Sequence, residues 1–154
     1  MNWIISKTEK LNYHTDLKNL FIPLMHELDN YYWIISDLDF ICSENEKIPI
    51  NYEKDWFQLS SNEMKVLINS DTQIVWGVIS GIKRNEKINL DKLSLPFAEG
   101  NDNIWKNGNF QIGNSEIEII AFDSSYTIVK LANDSLSEKF KTYFTEAIEL
   151  EKFK

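Results

Sequence analysis

Few residues in this chain are placed to do chemistry. Asp37 and Asp39 flank Leu38 in the run Tyr31-Tyr32-Trp33-Ile34-Ile35-Ser36-Asp37-Leu38-Asp39-Phe40-Ile41-Cys42. On an extended strand, residues i and i+2 lie about 7 Å apart on one face. Two carboxylates so placed could hold a divalent cation if a third oxygen ligand joined them. They could equally pair with lysine or arginine side chains of a partner, or simply mark the solvated end of a strand. The only histidines are His14 and His26. Neither has a cysteine or second histidine at zinc-ligand spacing, and both read as surface residues on or beside a helix. Cys42 is the single cysteine. Glu44 and Glu46, just beyond it, would raise a thiol pKa rather than lower it, so a buried structural cysteine is expected rather than a nucleophile. Ser124 and Ser125 follow Asp123 without a G-x-S-x-G elbow. Gly100, Gly108 and Gly113 match neither a dinucleotide fingerprint nor a phosphate loop. No catalytic residue, metal site or cofactor is expected from these patterns.

The elements that must position these residues follow from periodicity. Trp3-Ile4-Ile5 reads as a first strand or anchoring arm. Leu17, Leu20, Phe21, Leu24 and Leu28 recur at helical spacing behind a Thr15 or Asp16 cap. Pro23 falls inside that pattern, so it kinks the helix or starts a second short one. Residues 31–42 are aromatic and β-branched without glycine or proline, which predicts a long strand carrying Asp37 and Asp39 on one shared face. Residues 43–55 read as a loop, and Trp56–Leu59 as a short apolar stretch. Ser60-Ser61-Asn62-Glu63 is a capping box opening a short helix that ends near Asn69. Gln73–Ile82 is a strand whose Gly77 and Gly81 leave room for an aromatic ring or helix to approach. The polar segment 83–115 is too long to be structureless, and short strands are expected near 104–106 and 110–112. Glu116–Phe122 and Ser125–Leu131 form a hairpin around Asp123-Ser124. A second capping box at Ser135-Leu136-Ser137-Glu138 opens a terminal helix with Leu136, Phe140, Phe144, Ala147 and Ile148 on one face. The order predicts one α+β domain over residues 1–154: a mainly antiparallel sheet of five to seven strands against two or three helices.

Composition narrows the function. The 154 residues carry a net charge of −8, and Arg84 is the only arginine. Nucleic-acid binding needs a dense positive field to displace counterions from phosphates, so no nucleic-acid partner is expected. The acidity is uneven: residues 1–77 hold 6 lysines against 12 acids, residues 78–154 hold 10 basic residues against 12 acids. A lone cysteine excludes a disulfide-stapled fold. The first lysine, Lys7, comes too early for a signal-peptide core, and no apolar run is long enough for a membrane span. A cytoplasmic location with no membrane contact is therefore expected.

Three stretches, Tyr32-Trp33-Ile34-Ile35-Ser36-Asp37-Leu38-Asp39, Val75-Trp76-Gly77-Val78-Ile79 and Glu118-Ile119-Ile120-Ala121-Phe122-Asp123-Ser124-Ser125-Tyr126, carry a resemblance. With the helix after Ser60 and the terminal helix, their order resembles small acidic bacterial immunity proteins of polymorphic-toxin systems. The resemblance implies a non-enzymatic protein-binding module that neutralises a toxin, often a basic nuclease, and it supplies no catalytic residues. The expected partner is a basic toxin domain, and the expected binding surface is acidic: Asp37, Asp39, Glu44, Glu46, Glu53 and Asp55. Trp56, Phe97, Trp105 and Phe110 lie in or beside irregular stretches, where rings either anchor a partner or plug the core edge. Trp56 and Trp105 are the expected anchors. The rival readings are a small metal-dependent enzyme using Asp37 and Asp39, and a self-associating structural subunit; the oligomeric state is not encoded in these patterns.

Overall fold

A computed structural model describes residues 1–42, 47–90 and 94–153. Its centre is a seven-stranded antiparallel sheet. The strands are β1 (Asn2–Ile5), β2 (Tyr31–Cys42), β3 (Trp56–Leu59), β4 (Thr72–Lys83), β5 (Ser115–Phe122), β6 (Tyr126–Leu131) and β7 (Ile148–Glu149). Their order across the sheet is β3-β2-β4-β5-β6-β1-β7. The chain's first strand is thus an interior one, paired with β6 on one side and β7 on the other. The helices are α1 (Leu17–Leu20), α2 (Ser61–Ile68) and α3 (Asp134–Tyr143), with a 3-10 helix over Ile22–Asn30. The α+β class, the antiparallel sheet and the helical face agree with the expectation from sequence.

Both faces of the sheet are covered, by different means. On one face, Leu17, Leu20, Phe21, Leu24, Leu28, Met64, Leu67, Ile68, Leu136 and Phe140 of the helices bury Trp33, Ile35, Ile79, Ile117, Ile119 and Val129 of the strands. Trp33 is the largest fully buried side chain of that core, packed edge-on to Phe21 at 5.4 Å. It faces Gly81 directly across the β2–β4 pairing. A Cβ at Gly81 would stand 3.0 Å from the indole ring and 3.2 Å from the Ile117 Cβ, so the missing side chain is what admits the ring. On the opposite face no α-helix packs among the described residues. There the segment after β4 crosses the sheet as a strap, with Ala98, Ile104 and Ile112 buried against Ile4, Ile34, Val78, Ile82, Ile120 and Ile128.

The strap corrects one expectation. No strand forms at 104–106 or 110–112; Asp102–Trp105 is instead a 3-10 turn whose N-terminus is capped by the Asn101 side chain. The reason is geometric. A segment lying across a sheet face cannot join the ladder, so its backbone polar groups need side-chain partners. Charged side chains supply them. Asp37 Oδ2 accepts from Ala98 N at 2.7 Å, and Glu118 Oε2 accepts from Gln111 N at 2.7 Å. Lys130 Nζ donates to the Asn109 carbonyl at 2.5 Å. Glu118 and Lys130 face each other across β5 and β6. Their side chains are fully buried, with Nζ 3.3 Å from Glu118 Oε1, an ion contact that leaves that oxygen without a hydrogen bond. Burial pushes the Glu118 carboxyl above its ordinary range and the Lys130 ammonium below its own, each partly offset by the other's charge.

Several local readings are refined. Asp16 caps α1 through Asn19 N, and Pro23 begins the 3-10 helix rather than kinking a longer one. α3 is capped by Asn133, which accepts from Ser135 N and Leu136 N, so the helix starts before the expected box. Within the helix, Ser137 Oγ accepts from Trp3 Nε1 and donates to the Met1 carbonyl, fastening α3 to β1. α3 also ends at Tyr143, and Ile148 belongs to β7 rather than to the helix face. Lys141 Nζ takes up the Thr145 and Ala147 carbonyls and so closes the turn between them.

Two of these local features make stability predictions. The Ser60–Glu63 box is complete, with Ser60 Oγ accepting from Glu63 N and Glu63 Oε2 accepting from Ser60 N. Ser60→Ala is expected to cost about 1 kcal/mol in urea unfolding. The backbone and side chain of Ser60 hold the Glu63 carboxyl below its ordinary pKa. A lowered folded value means that this contribution is present above the ordinary glutamate range and is lost as pH falls towards the depressed value. Glu63→Gln keeps the box without a titrating group. The stability gap between the two proteins is therefore expected to be flat above roughly pH 5 and to change only below it. The hairpin turn offers the opposite sign. Asp123 and Ser124 both adopt φ of 50°, a left-handed conformation that costs an L-residue about 1–2 kcal/mol. Ser124→Gly is expected to stabilise by about 0.5–1 kcal/mol, the extra freedom of glycine in the unfolded chain taking back the rest.

Candidate functional site: an acidic cleft at the β2 bulge

β2 pairs regularly with β4 up to Ser36 with Val78, and resumes at Asp39 with Trp76. Between them Asp37 takes φ of 53°. This bulge breaks the strict alternation expected for Asp37 and Asp39. Gly77 lies opposite, where a Cβ would meet Ile74 at 3.1 Å and Leu38 at 3.3 Å; glycine lets the bulge close. Asp37 thereby becomes a joint. Its N–H reaches the Asp55 carbonyl at 3.4 Å, and its carboxylate holds Ala98 N. The segments 51–55 and 94–99 are thus drawn up on either side of one strand, and an open cleft of about 740 Å³ forms between them.

Four carboxylates line that cleft, Asp37, Asp39, Asp55 and Glu99, with Lys54 as its one basic side chain among the described residues. The three aspartates are exposed. Rings complete the walls: Phe40, Phe57 and Trp76 half-buried or buried, Tyr52 and Phe97 exposed at 74% and 46%. Tyr52 leans on Phe40 with ring centroids 5.6 Å apart. A second open cleft of about 840 Å³ adjoins it, sharing Asp55, Lys54 and Phe57 and adding Glu53 and Trp56.

The expected binding residues are therefore distributed as follows. Asp37, Asp39 and Asp55 meet in one cleft, and Glu53 and Trp56 line its neighbour. Glu44 and Glu46 lie outside the described residues. Trp56 is half-buried and packs on the strap-side cluster with Ile34 and Ile82. Trp105 lies apart from both clefts, in a ring cluster with Phe122 at 5.0 Å, Tyr126 at 6.1 Å and Phe153 at 6.3 Å. It covers the core edge, while Trp76, 4.6 Å from Phe122, is the member of that cluster that reaches the cleft. Tyr52 and Glu99 were not singled out by the sequence. Their contribution depends on the Asp37 joint, which no local pattern announces.

Among the described residues, no three His, Cys, Asp or Glu side chains are grouped to hold a metal ion. His14 is half-buried in the turn before α1, its pKa lowered by burial, and His26 is exposed on the 3-10 helix; neither lines the cleft. Cys42 is half-buried rather than buried, at the far end of β2. No helix among the described residues is long and apolar enough to cross a membrane. No family model, curated protein or solved structure matches this chain.

Proposed function

We propose that this protein is a non-enzymatic binding module that neutralises a basic toxin domain through its acidic cleft. The observation that carries the reading is the pairing of four carboxylates with two exposed rings on one open surface, in a chain of net charge −8. Opposite fields steer association, and aromatic side chains supply the central contacts of tight interfaces. The test is to mix the protein, at physiological salt, with the basic toxin domain encoded by whichever toxin gene neighbours its own. Formation of a complex and loss of toxin activity are expected; a toxin that stays fully active and unbound overturns the reading for that partner. Within the complex, the triple change Asp39→Asn, Asp55→Asn and Glu99→Gln is expected to slow association on the order of tenfold at low salt, with a smaller effect on dissociation.

A further inference from the structure

Beyond the bulge, β2 and β4 run on together past both of their neighbours. Their pairing continues to Cys42 with Thr72, whereas β3 leaves β2 at Ser36 and β5 leaves β4 at Gly77. The two strands of this projecting ribbon are finished differently. On β4, the Ile74 carbonyl accepts from Thr15 Oγ1 at 2.6 Å and the Val75 carbonyl from Ser124 N at 3.3 Å. On β2, nothing among the described residues outside the β2–β4 ladder hydrogen-bonds to the backbone of Asp39, Phe40 or Ile41. Ile41 is 61% exposed. An open edge of this kind is a template for strand addition.

The cleft beside the edge sets the charge of what it can take. Asp37, Asp39, Asp55 and Glu99 outweigh Lys54 there, and the exposed Tyr52 and Phe97 rings can receive ammonium or guanidinium groups on their faces. We propose that the β2 edge at Asp39–Ile41 takes up an extended, lysine- or arginine-bearing segment of the partner protein as an added β-strand. The segment's cations sit on the cleft carboxylates, and its backbone completes the hydrogen bonding of the edge. This rests on the protein-binding reading above and adds the mode of contact and the character of the segment.

The full chain is titrated with the capped peptide (Lys-Val)5, with (Glu-Val)5, and with (Lys-Val)5 N-methylated at every residue, while hydrogen exchange is followed amide by amide. Binding of (Lys-Val)5 is expected to slow exchange at least tenfold at one or more amides of Asp39–Ile41. The acidic and N-methylated peptides are expected to bind at least tenfold more weakly, and so is (Lys-Val)5 to the Asp39→Lys, Glu99→Lys double variant. Equal binding of the N-methylated peptide, binding without protection of those amides, or no binding of (Lys-Val)5 overturns strand addition. A toxin that binds but leaves those amides unprotected overturns it too, while sparing the binding reading. Peptide capture with protection, in a protein that binds no toxin, does the reverse.

Discussion

Lys130→Met is expected to destabilise the protein by about 3–5 kcal/mol at neutral pH, because it leaves the Glu118 carboxylate buried without its cation. Both side chains are fully shielded from solvent, and each also holds the strap, Glu118 through Gln111 N and Lys130 through the Asn109 carbonyl. The pH dependence distinguishes this from mere loss of packing. Burial raises the folded pKa of Glu118, so the proton-bound form is favoured in the fold, and stability from this group is lost as pH rises through that raised value. With the cation gone the effect grows, and the deficit of Lys130→Met is expected to shrink as pH is lowered from neutrality. Glu118→Gln leaves the opposite orphan. Burial lowers the folded pKa of Lys130, so its deficit is expected to shrink as pH rises and the ammonium loses its proton. Urea unfolding across pH for the two variants checks both signs; parallel profiles would mean that the pair is not an ion pair in the fold. Replacing both residues with leucine would remove the buried charges but orphan backbone groups at residues 109 and 111. Reduced hydrogen-exchange protection is therefore expected in the strap even if global stability recovers.

The second large effect is expected at Trp33. Trp33→Ala removes the largest fully buried side chain of the helix-side core and should cost about 3–5 kcal/mol. Gly81→Ala attacks the same contact from the other side. Its methyl would arrive 3.0 Å from the indole and 3.2 Å from the Ile117 Cβ, tighter than ordinary packing, at an expected cost of about 1–3 kcal/mol. The two should not add. In the double variant the new methyl enters space the ring has vacated, so the summed loss is expected to exceed the measured one by on the order of 1 kcal/mol. Strict additivity in the double-mutant cycle would mean that Trp33 and Gly81 do not share this contact.

Much of the fold was legible because its determinants are local. The β2 run, the Ser60 box and the β5–β6 hairpin announce themselves through β-branched residues, capping geometry and turn chemistry over a few residues. The structure departs from the local patterns where another residue takes over the expected role. Ser135 fits a capping box with Glu138 by spacing, yet it lies inside the helix, and the Asn133 side chain caps the end by accepting from Ser135 N and Leu136 N. Ile148 fits the helix stripe, yet it pairs with Ile4 as an edge strand. The candidate site divides in the same way. Asp37 and Asp39 stood out as a pair on a strand, but Asp55 and Glu99 join them only because the bulge fastens two separate loops to one residue.

Periodicity, composition and charge were enough for an α+β chain with an antiparallel sheet and an acidic surface, because these depend on each residue's own preferences and on its near neighbours. The placing of β1 between β6 and β7, the strap across the second face and the Glu118–Lys130 pair beneath it required the folded chain. Each joins residues far apart in sequence, and an alternating strand looks the same whether a helix, a strap or water covers its other side.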